Sequence, residues 1–303
     1  MITKELINFC IEKTKIEQRD LIEKDLILHF ILLKLSKDKD FLEKYAFKGG
    51  TCLIRCYLGY FRFSEDLDFT YLMQEKFRNK SNSQARKIIS AELQSLISLL
   101  AGISSELGLN FKPDKTNKDY FEFGDGNRFT TIKIWYKSTE TGLDSFVKIQ
   151  INFIEHLEYE VKRRKANNLI FNKAQDFLLP PGSEWAFQTP IIKCYGIKEI
   201  LCEKIRAILT RRGVKPRDFI DIYMIEKAEK TISEKLEKKI IRKTRSALDN
   251  AKYLRNLENK KKTTPEYAEN QEARLMLTKL DRDFYNSFLK RFSIFLKRLL
   301  TKI

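Results

Sequence analysis

The sequence predicts an α+β protein of two lobes, an N-terminal α/β lobe over residues 1–165 and a mainly helical lobe over 166–303. Three observations carry this reading. A strand, a glycine turn, a helix and a second strand follow one another between Tyr45 and Leu72. Two alternating segments, 129–136 and 145–153, are joined by a polar turn ending at Gly142 and fit an antiparallel hairpin that extends the same sheet. Beyond Gly182 the chain reads as almost entirely helical. A chain of 303 residues is long enough to bury a core in each of two such lobes.

Taken in order, residues 4–37 are expected to be helical, because Leu21, Ile22, Asp25, Leu26, His29 and Phe30 fall at helical intervals and neither Pro nor Gly interrupts them. Around Tyr45, Ala46 and Phe47 the pattern shortens to a strand that stops at Gly49 and Gly50. Thr51 to Tyr57 then forms a short helix, and Asp66 to Leu72 alternates as a strand does. Residues 82–107 form a long helix with Ile88, Leu93, Leu96, Ile97 and Leu100 on one face. The basic stretch Lys162 to Lys165 and the turn-rich Leu179-Pro180-Pro181-Gly182 mark the seam between lobes. Past it, Gly196 precedes a helix running to Arg212, Gly213 and Pro216 break it, and Arg217 to Lys227 begins another. Helices over 231–258 and 266–301 follow, separated by Lys260-Lys261-Lys262 and Pro265. No internal repeat is found.

The net charge of +17 raises affinity for phosphate polymers and points toward nucleotides or nucleic acid, with a lysine-rich compositional bias as the alternative. The longest apolar run, Leu26 to Leu35, is interrupted by His29 and Lys34 and is too short to cross a bilayer of about 30 Å, so no membrane span is expected. The N-terminus lacks the basic start, apolar stretch and small-residue cleavage site of a secretory signal, which points to the cytoplasm. The five cysteines (Cys10, Cys52, Cys56, Cys194 and Cys202) show no C-x-x-C spacing and sit in apolar stretches, as buried reduced thiols do.

Asp66 and Asp68 stand one residue apart on a strand, which projects both carboxylates from one face. Two like charges so close favour a divalent cation between them, and magnesium suits a pair of carboxylates supplemented by substrate phosphates. A solvated strand edge is the alternative for an isolated Asp-x-Asp. Shortly upstream, however, Gly49-Gly50-Thr51 lies between a strand and a helix, where glycines let backbone amides approach a phosphate and Thr51 can cap the helix or donate to that phosphate. A plain turn explains Gly-Gly alone; both motifs at this separation point to a nucleotide site.

Phe47-Lys48-Gly49-Gly50-Thr51-Cys52-Leu53, followed by Arg62-Phe63-Ser64-Glu65-Asp66-Leu67-Asp68-Phe69, closely resembles the first motif of the AbiEii/AbiGii toxin family. These are nucleotidyltransferases of bacterial toxin–antitoxin and abortive-infection (phage-defence) systems, with the MenT toxins as relatives. Glu23-Lys24-Asp25 resembles the family's N-terminal helix. Lys204-x-x-Ala207-x-x-x-Arg211 and Arg217-Asp218-x-x-Asp221-x-Tyr223 are similar to its later motifs, in the expected order. The resemblance covers residues from about 20 to 227 and implies a bilobed fold, with a polymerase-β-like sheet carrying the metal site and a helical lobe closing over the nucleotide. It also implies roles. Asp66 and Asp68 hold the magnesium that bridges the triphosphate, Ser64 and Arg62 orient the loop or touch phosphate, and Lys204 and Asp218 complete the active site, with Arg211 and Asp221 as further binding residues. Solvated helix faces are the alternative for Lys204 and Arg211, a helix-dipole partner for Asp218 and an intrahelical partner for Asp221.

One departure stands out. Polymerase-β-like enzymes commonly carry a third carboxylate on a later strand, where this chain has Gln150 and Asn152. Either the third ligand comes from elsewhere, with Asp218 a candidate, or the site does without it. The histidines are poor substitutes: His29 belongs to an apolar helix, and His156 follows the strand, exposed. The resemblance thus implies an NTP-dependent toxin that adds nucleotides to an RNA acceptor, plausibly a tRNA 3′ end, and is held in check by a cognate antitoxin. Basic clusters at Lys162 to Lys165, at Arg211, Arg212, Lys215 and Arg217, and at Lys238 to Arg245 are candidate contacts for RNA backbone, with solvated faces as the alternative. Transfer to a protein or small molecule, and a non-catalytic RNA-binding module, are the competing functions.

Overall fold

Thr3 and Lys15 delimit the first helix, α1 (Lys4–Thr14): Thr3 Oγ1 accepts from the Leu6 amide at 3.2 Å, and Lys15 adopts a left-handed conformation, φ 61°, that ends it. The next helix, α2 (Arg19–Leu35), starts afresh. The stretch expected as one helix over 4–37 is therefore two, because the break occurs at a lysine in the αL region rather than at Gly or Pro. The structure is a computed structural model and describes residues 2–171, 180–230, 232–263, 265 and 273–303. Two compact units are formed, Met1–Glu155 with Lys162–Cys194, and His156–Val161 with Tyr195–Ile303.

In the first unit, Asp38 caps α3 (Lys39–Lys44), which runs into β1 (Tyr45–Lys48). Gly49 then turns the chain at φ 77° into α4 (Gly49–Leu53), continued by a π-helical turn over Ile54–Leu58. β2 (Asp66–Tyr71) returns antiparallel to β1, with Lys48 opposite Asp68. α5 (Asn82–Leu107) opens on a capping box between Ser81 and Gln84 and closes at left-handed Gly108. Its buried side is Ala85, Ile89, Leu93, Leu96, Ile97 and Leu100; Ile88, placed there by the sequence pattern, is only half-buried, with Ile89 in its stead. By length and composition α5 is, among the described residues, the one helix able to cross a membrane, and its buried side packs against α2.

The remaining strands are β3 (Phe121–Gly124), β4 (Phe129–Lys137), β5 (Asp144–Asn152), β6 (Lys162–Lys165) and β7 (Ile191–Cys194). They complete a seven-stranded sheet of order β3-β4-β5-β2-β1-β7-β6. The hairpin of β4 and β5 forms as expected and lies beside β2, which it joins in parallel, Asp68 opposite Gln150. β7 pairs in parallel with β1 and brings β6 with it, which is why the first unit extends to Cys194 rather than stopping at residue 165. Phe41, Tyr45, Phe47, Phe69 and Tyr71 fill the core around β1 and β2 with ring contacts of 4.9 to 5.5 Å. Behind them lies a buried polar knot: the Arg55 guanidinium donates to Asp25 Oδ1 at 2.6 Å and lies 3.2 Å from His29 Nδ1, and Tyr60 Oη donates to Asp25 at 3.0 Å. Burial, with the Arg55 charge alongside, pushes His29 down to about 3, so it is the neutral core histidine anticipated from its apolar helix.

The second unit is built from α6 (Ile197–Thr210), α7 (Pro216–Glu229), α8 (Glu237–Ala247), α9 (Ala251–Lys262) and α10 (Arg282–Lys302). The helix expected over 231–258 is divided, since the chain turns at Leu248–Asn250 and Asn250 caps α9 by accepting from the Lys252 amide at 2.9 Å. Of the helix expected over 266–301, residues 266–272 lie outside the described residues, and α10 begins at Arg282 behind its cap, Asp281. Glu199, fully buried on α6, ties segment 156–161 to these helices. Its Oε2 accepts from the amides of Glu158 and Tyr159 at 2.9 Å each, and its Oε1 accepts from Lys243 at 2.7 Å. Phe219 of α7 meets Phe292 of α10 edge-on at 5.7 Å to form the apolar centre.

Candidate active site

Pleating of β2 sorts its side chains: Leu67 and Phe69 are buried, while Asp66 and Asp68 are half-buried on the opposite face. The glycine turn lies against that face. A Cβ on Gly49 would stand 2.1 Å from Asp68 Oδ2, and one on Gly50 would stand 2.4 Å from Arg62 Nη2 and 3.4 Å from Ser64 Oγ. At Gly49 the positive φ independently demands glycine, and at Gly50 a side chain would have to displace the Arg62 guanidinium. Thr51 Oγ1 is hydrogen-bonded to Ser64 Oγ at 2.7 Å and donates to the Asp66 carbonyl oxygen. Arg62 is buried and donates to the Phe63 carbonyl oxygen at 2.7 Å. Gly49, Gly50, Thr51, Arg62, Ser64, Asp66 and Asp68 therefore come together in one cluster. The hydroxyl of Thr51 and the guanidinium of Arg62, thought available to a phosphate, instead brace the turn and the start of β2 from within.

The same face of the sheet carries Gln150, already marked by the sequence, and two lysines that were not. Register sets Lys48 and Gln150 on either side of Asp68, and Lys148 beside Asp66. Gln150 Nε2 donates to Thr131 Oγ1 of β4 at 3.2 Å, so an amide stands in the position beside Asp68 where a third carboxylate is absent. The nearest acid after β5, Glu155, accepts from Lys48, from Thr70 Oγ1 at 2.9 Å and from Asn152 Nδ2 at 2.9 Å, and is committed to holding three strands together. As a donor set, Asp66 and Asp68 offer hard oxygens to a small divalent cation and fit magnesium, with open positions left for phosphate oxygens.

In the second unit, Lys204, Arg211, Asp218 and Asp221 form one network. Lys204 Nζ donates to Asp218 Oδ1 at 3.0 Å and pairs with Asp221 at 2.5 Å, while Arg211 Nη1 donates to Asp218 Oδ2 at 2.8 Å. Lys204, Asp218 and Asp221 are all buried, so none is a solvated side chain of a helix face, and Asp221 reaches a neighbouring helix rather than its own. Burial acts to raise the Asp218 carboxyl, but the charges of Lys204 and Arg211 outweigh it and hold the group below the usual carboxylate range. Both oxygens of Asp218 are thus taken by cations of its own unit.

Of the three basic clusters, the one in α8 buries only Lys243, against Glu199; Lys238, Arg242 and Arg245 are exposed, with Arg242 paired to Glu158 and Arg245 donating to the Lys302 carbonyl, and half-buried Lys239 lies 3.6 Å from the centre of the Tyr159 ring. Lys162 to Lys165, by contrast, form β6 with all four residues exposed at the sheet's edge. His156 is exposed and paired with Glu158, as expected for a residue beyond the strand. All five cysteines are free thiols; Cys56 is half-buried and the other four are buried.

The family described as "Nucleotidyl transferase AbiEii toxin, Type IV TA system" matches residues 31–298. Among solved structures, the chain is similar to the nucleotidyltransferase toxin MenT4 from Mycobacterium tuberculosis, with 20% identity and a TM-score of 0.58 over 98% of this chain and 90% of that one, a likeness of fold. JHP933 from Helicobacter pylori is a more distant match, with 17% identity and a TM-score of 0.48 over 95% of each chain. No curated protein matches.

Proposed function

As the chain belongs to the AbiEii family of nucleotidyltransferase toxins of type IV toxin–antitoxin systems, we propose that it uses NTP and magnesium to add nucleotides to an RNA acceptor, with a tRNA 3′ end as the expected one. The family implies an NTP substrate and a cognate antitoxin; the acceptor, the metal, a cytoplasmic setting and a role in abortive infection are our reading. What carries it is the convergence of the Gly49-Gly50 turn on the Asp66 and Asp68 face, so tight that no side chain fits between Gly49 and the Asp68 carboxylate. Asp66 and Asp68 would hold the cation, which when bound neutralises charge on the triphosphate. Gly49 and Gly50 leave their backbone amides unobstructed for phosphate oxygens, with Thr51, Ser64 and Arg62 keeping the turn in register with β2.

In nucleotidyl transfer an acceptor hydroxyl attacks the α-phosphorus, the bond to the β-phosphate breaks, and pyrophosphate leaves. Gln150 is an amide and cannot take the hydroxyl proton, so its position supplies no base; catalysis rests on positioning and charge, and the proton passes to solvent. Within the second unit, Asp218 and Asp221 position Lys204, and Asp218 also holds Arg211. Incubation of the purified protein with labelled NTPs and total RNA tests this: label is expected on RNA, and only with magnesium present. Label on protein alone would replace the RNA acceptor with a protein one.

A further inference from the structure

Cys52, Cys56 and Cys194 are separated by up to 142 positions in the chain, yet their three sulfurs lie within 4.8 Å of one another. Cys52 belongs to α4 and Cys56 to the π-helical turn that continues it, four residues on, so both reach the same side. Cys194 ends β7, opposite Phe47 of β1. Among the described residues, Cys10 and Cys202 join no such group, and each is a single buried thiol in a helix, which apolar packing explains. Packing alone gives no reason for three thiols to meet.

Coordination does. Sulfur lies about 2.3 Å from zinc, and a tetrahedral site then sets its sulfurs roughly 3.8 Å apart, within about 1 Å of the present arrangement. The ligands come from two rigid pieces, a helix anchored by the glycine turn and a strand paired into the sheet. An approach also exists: Cys56 lines a cavity of about 350 Å³ together with Tyr57, Asn167 and Asn168, leaving room on one side for a water as fourth ligand. Tyr57 Oη lies 3.7 Å from Cys194 Sγ, and the Arg164 guanidinium sits 5.2 Å from the Tyr57 ring centre, a positive charge to offset three thiolates around a dication.

We propose that Cys52, Cys56 and Cys194 form a zinc site, chemically distinct from the carboxylate pair because thiolates select soft cations and carboxylates hard ones. On binding, each thiol releases its proton to solvent as its sulfur takes the metal. The ion staples α4 to β7, and because Cys52 directly follows Thr51, it stiffens the turn that Thr51 braces.

The test uses full-length protein purified in reductant without chelator, and its readouts do not depend on nucleotidyl transfer. Elemental analysis should find about one zinc per chain in wild type and in the Cys202→Ser control, and a loss of most of it in Cys56→Ser and Cys194→Ser. Co²⁺ added to metal-stripped wild type should give a thiolate-to-cobalt charge-transfer band with tetrahedral ligand-field bands, and Zn²⁺ should raise its melting temperature. The cobalt spectrum stands on wild type alone, should the variants fold poorly. Fully reduced wild type that takes up neither metal overturns the proposal, as does metal content unchanged by both substitutions.

Discussion

Gly49 admits no side chain, for two reasons that act together. Its φ of 77° is a conformation that costs an alanine about 1–2 kcal/mol, and the added methyl would displace the Asp68 carboxylate. Gly49→Ala is therefore expected to lower stability modestly and nucleotidyl transfer by about 100-fold, as a misplacement of about 1 Å does, in paired thermal-melting and transfer-rate measurements. Asp218 offers a second test at this scale. Its carboxyl is held below the unfolded value of about 3.9, so the native state binds fewer protons than the unfolded one in acid. The resulting stabilisation is complete above that value and is lost as pH falls through the depressed native one. Asp218→Asn should accordingly flatten the acid limb of the melting temperature below about pH 4. The pairing of glycines and aspartates was legible because it depends on local spacing. That Thr51 and Arg62 face inward, that Glu155 is engaged by three donors, and that three cysteines meet was not legible, because burial and long-range register leave no mark in a short motif.

Helix ends show how one element completes another. The last carbonyls of α6 have no partner within their own helix, and α9 supplies them: Asn256 donates to the Thr210 carbonyl at 2.9 Å, and Lys260, one turn on, donates to that of Ile208. Read as part of a basic separator between helices, Lys260 is in fact a buried cap. Lys260→Met should destabilise the protein by about 1–3 kcal/mol, the penalty for an unsatisfied buried carbonyl. Lys261→Met, which removes only an exposed pair with Glu258, should stay within about 0.5 kcal/mol; urea unfolding midpoints separate the two. The contrast explains which elements could be read in advance. α5, with its capping box, apolar side and terminal glycine, carries its limits in its own residues. β3, β6 and β7 are four residues each, too short for alternation to register, and β6 is wholly basic, as suits an edge strand that must not pair further.

At the scale of the whole molecule, the family assignment, the sheet order and the charge of +17 agree on an enzyme of nucleotide chemistry. Net charge alone does not mark a binding surface, because within α8 Lys243 is buried against Glu199 and Arg242 is paired with Glu158, whereas β6 keeps four basic residues exposed. The central claim rests on two carboxylates and is tested most directly by measuring transfer rate and melting temperature together for wild type, Asp66→Asn, Asp68→Asn and Gln150→Ala. Each Asn variant should lose about 10²–10³-fold or more in rate, because the charge that holds the cation is gone, while its melting temperature holds or rises as repulsion between the carboxylates is relieved. Gln150→Ala should retain most of its rate. A folded Asp66→Asn or Asp68→Asn protein transferring nucleotides at the wild-type rate would contradict the account.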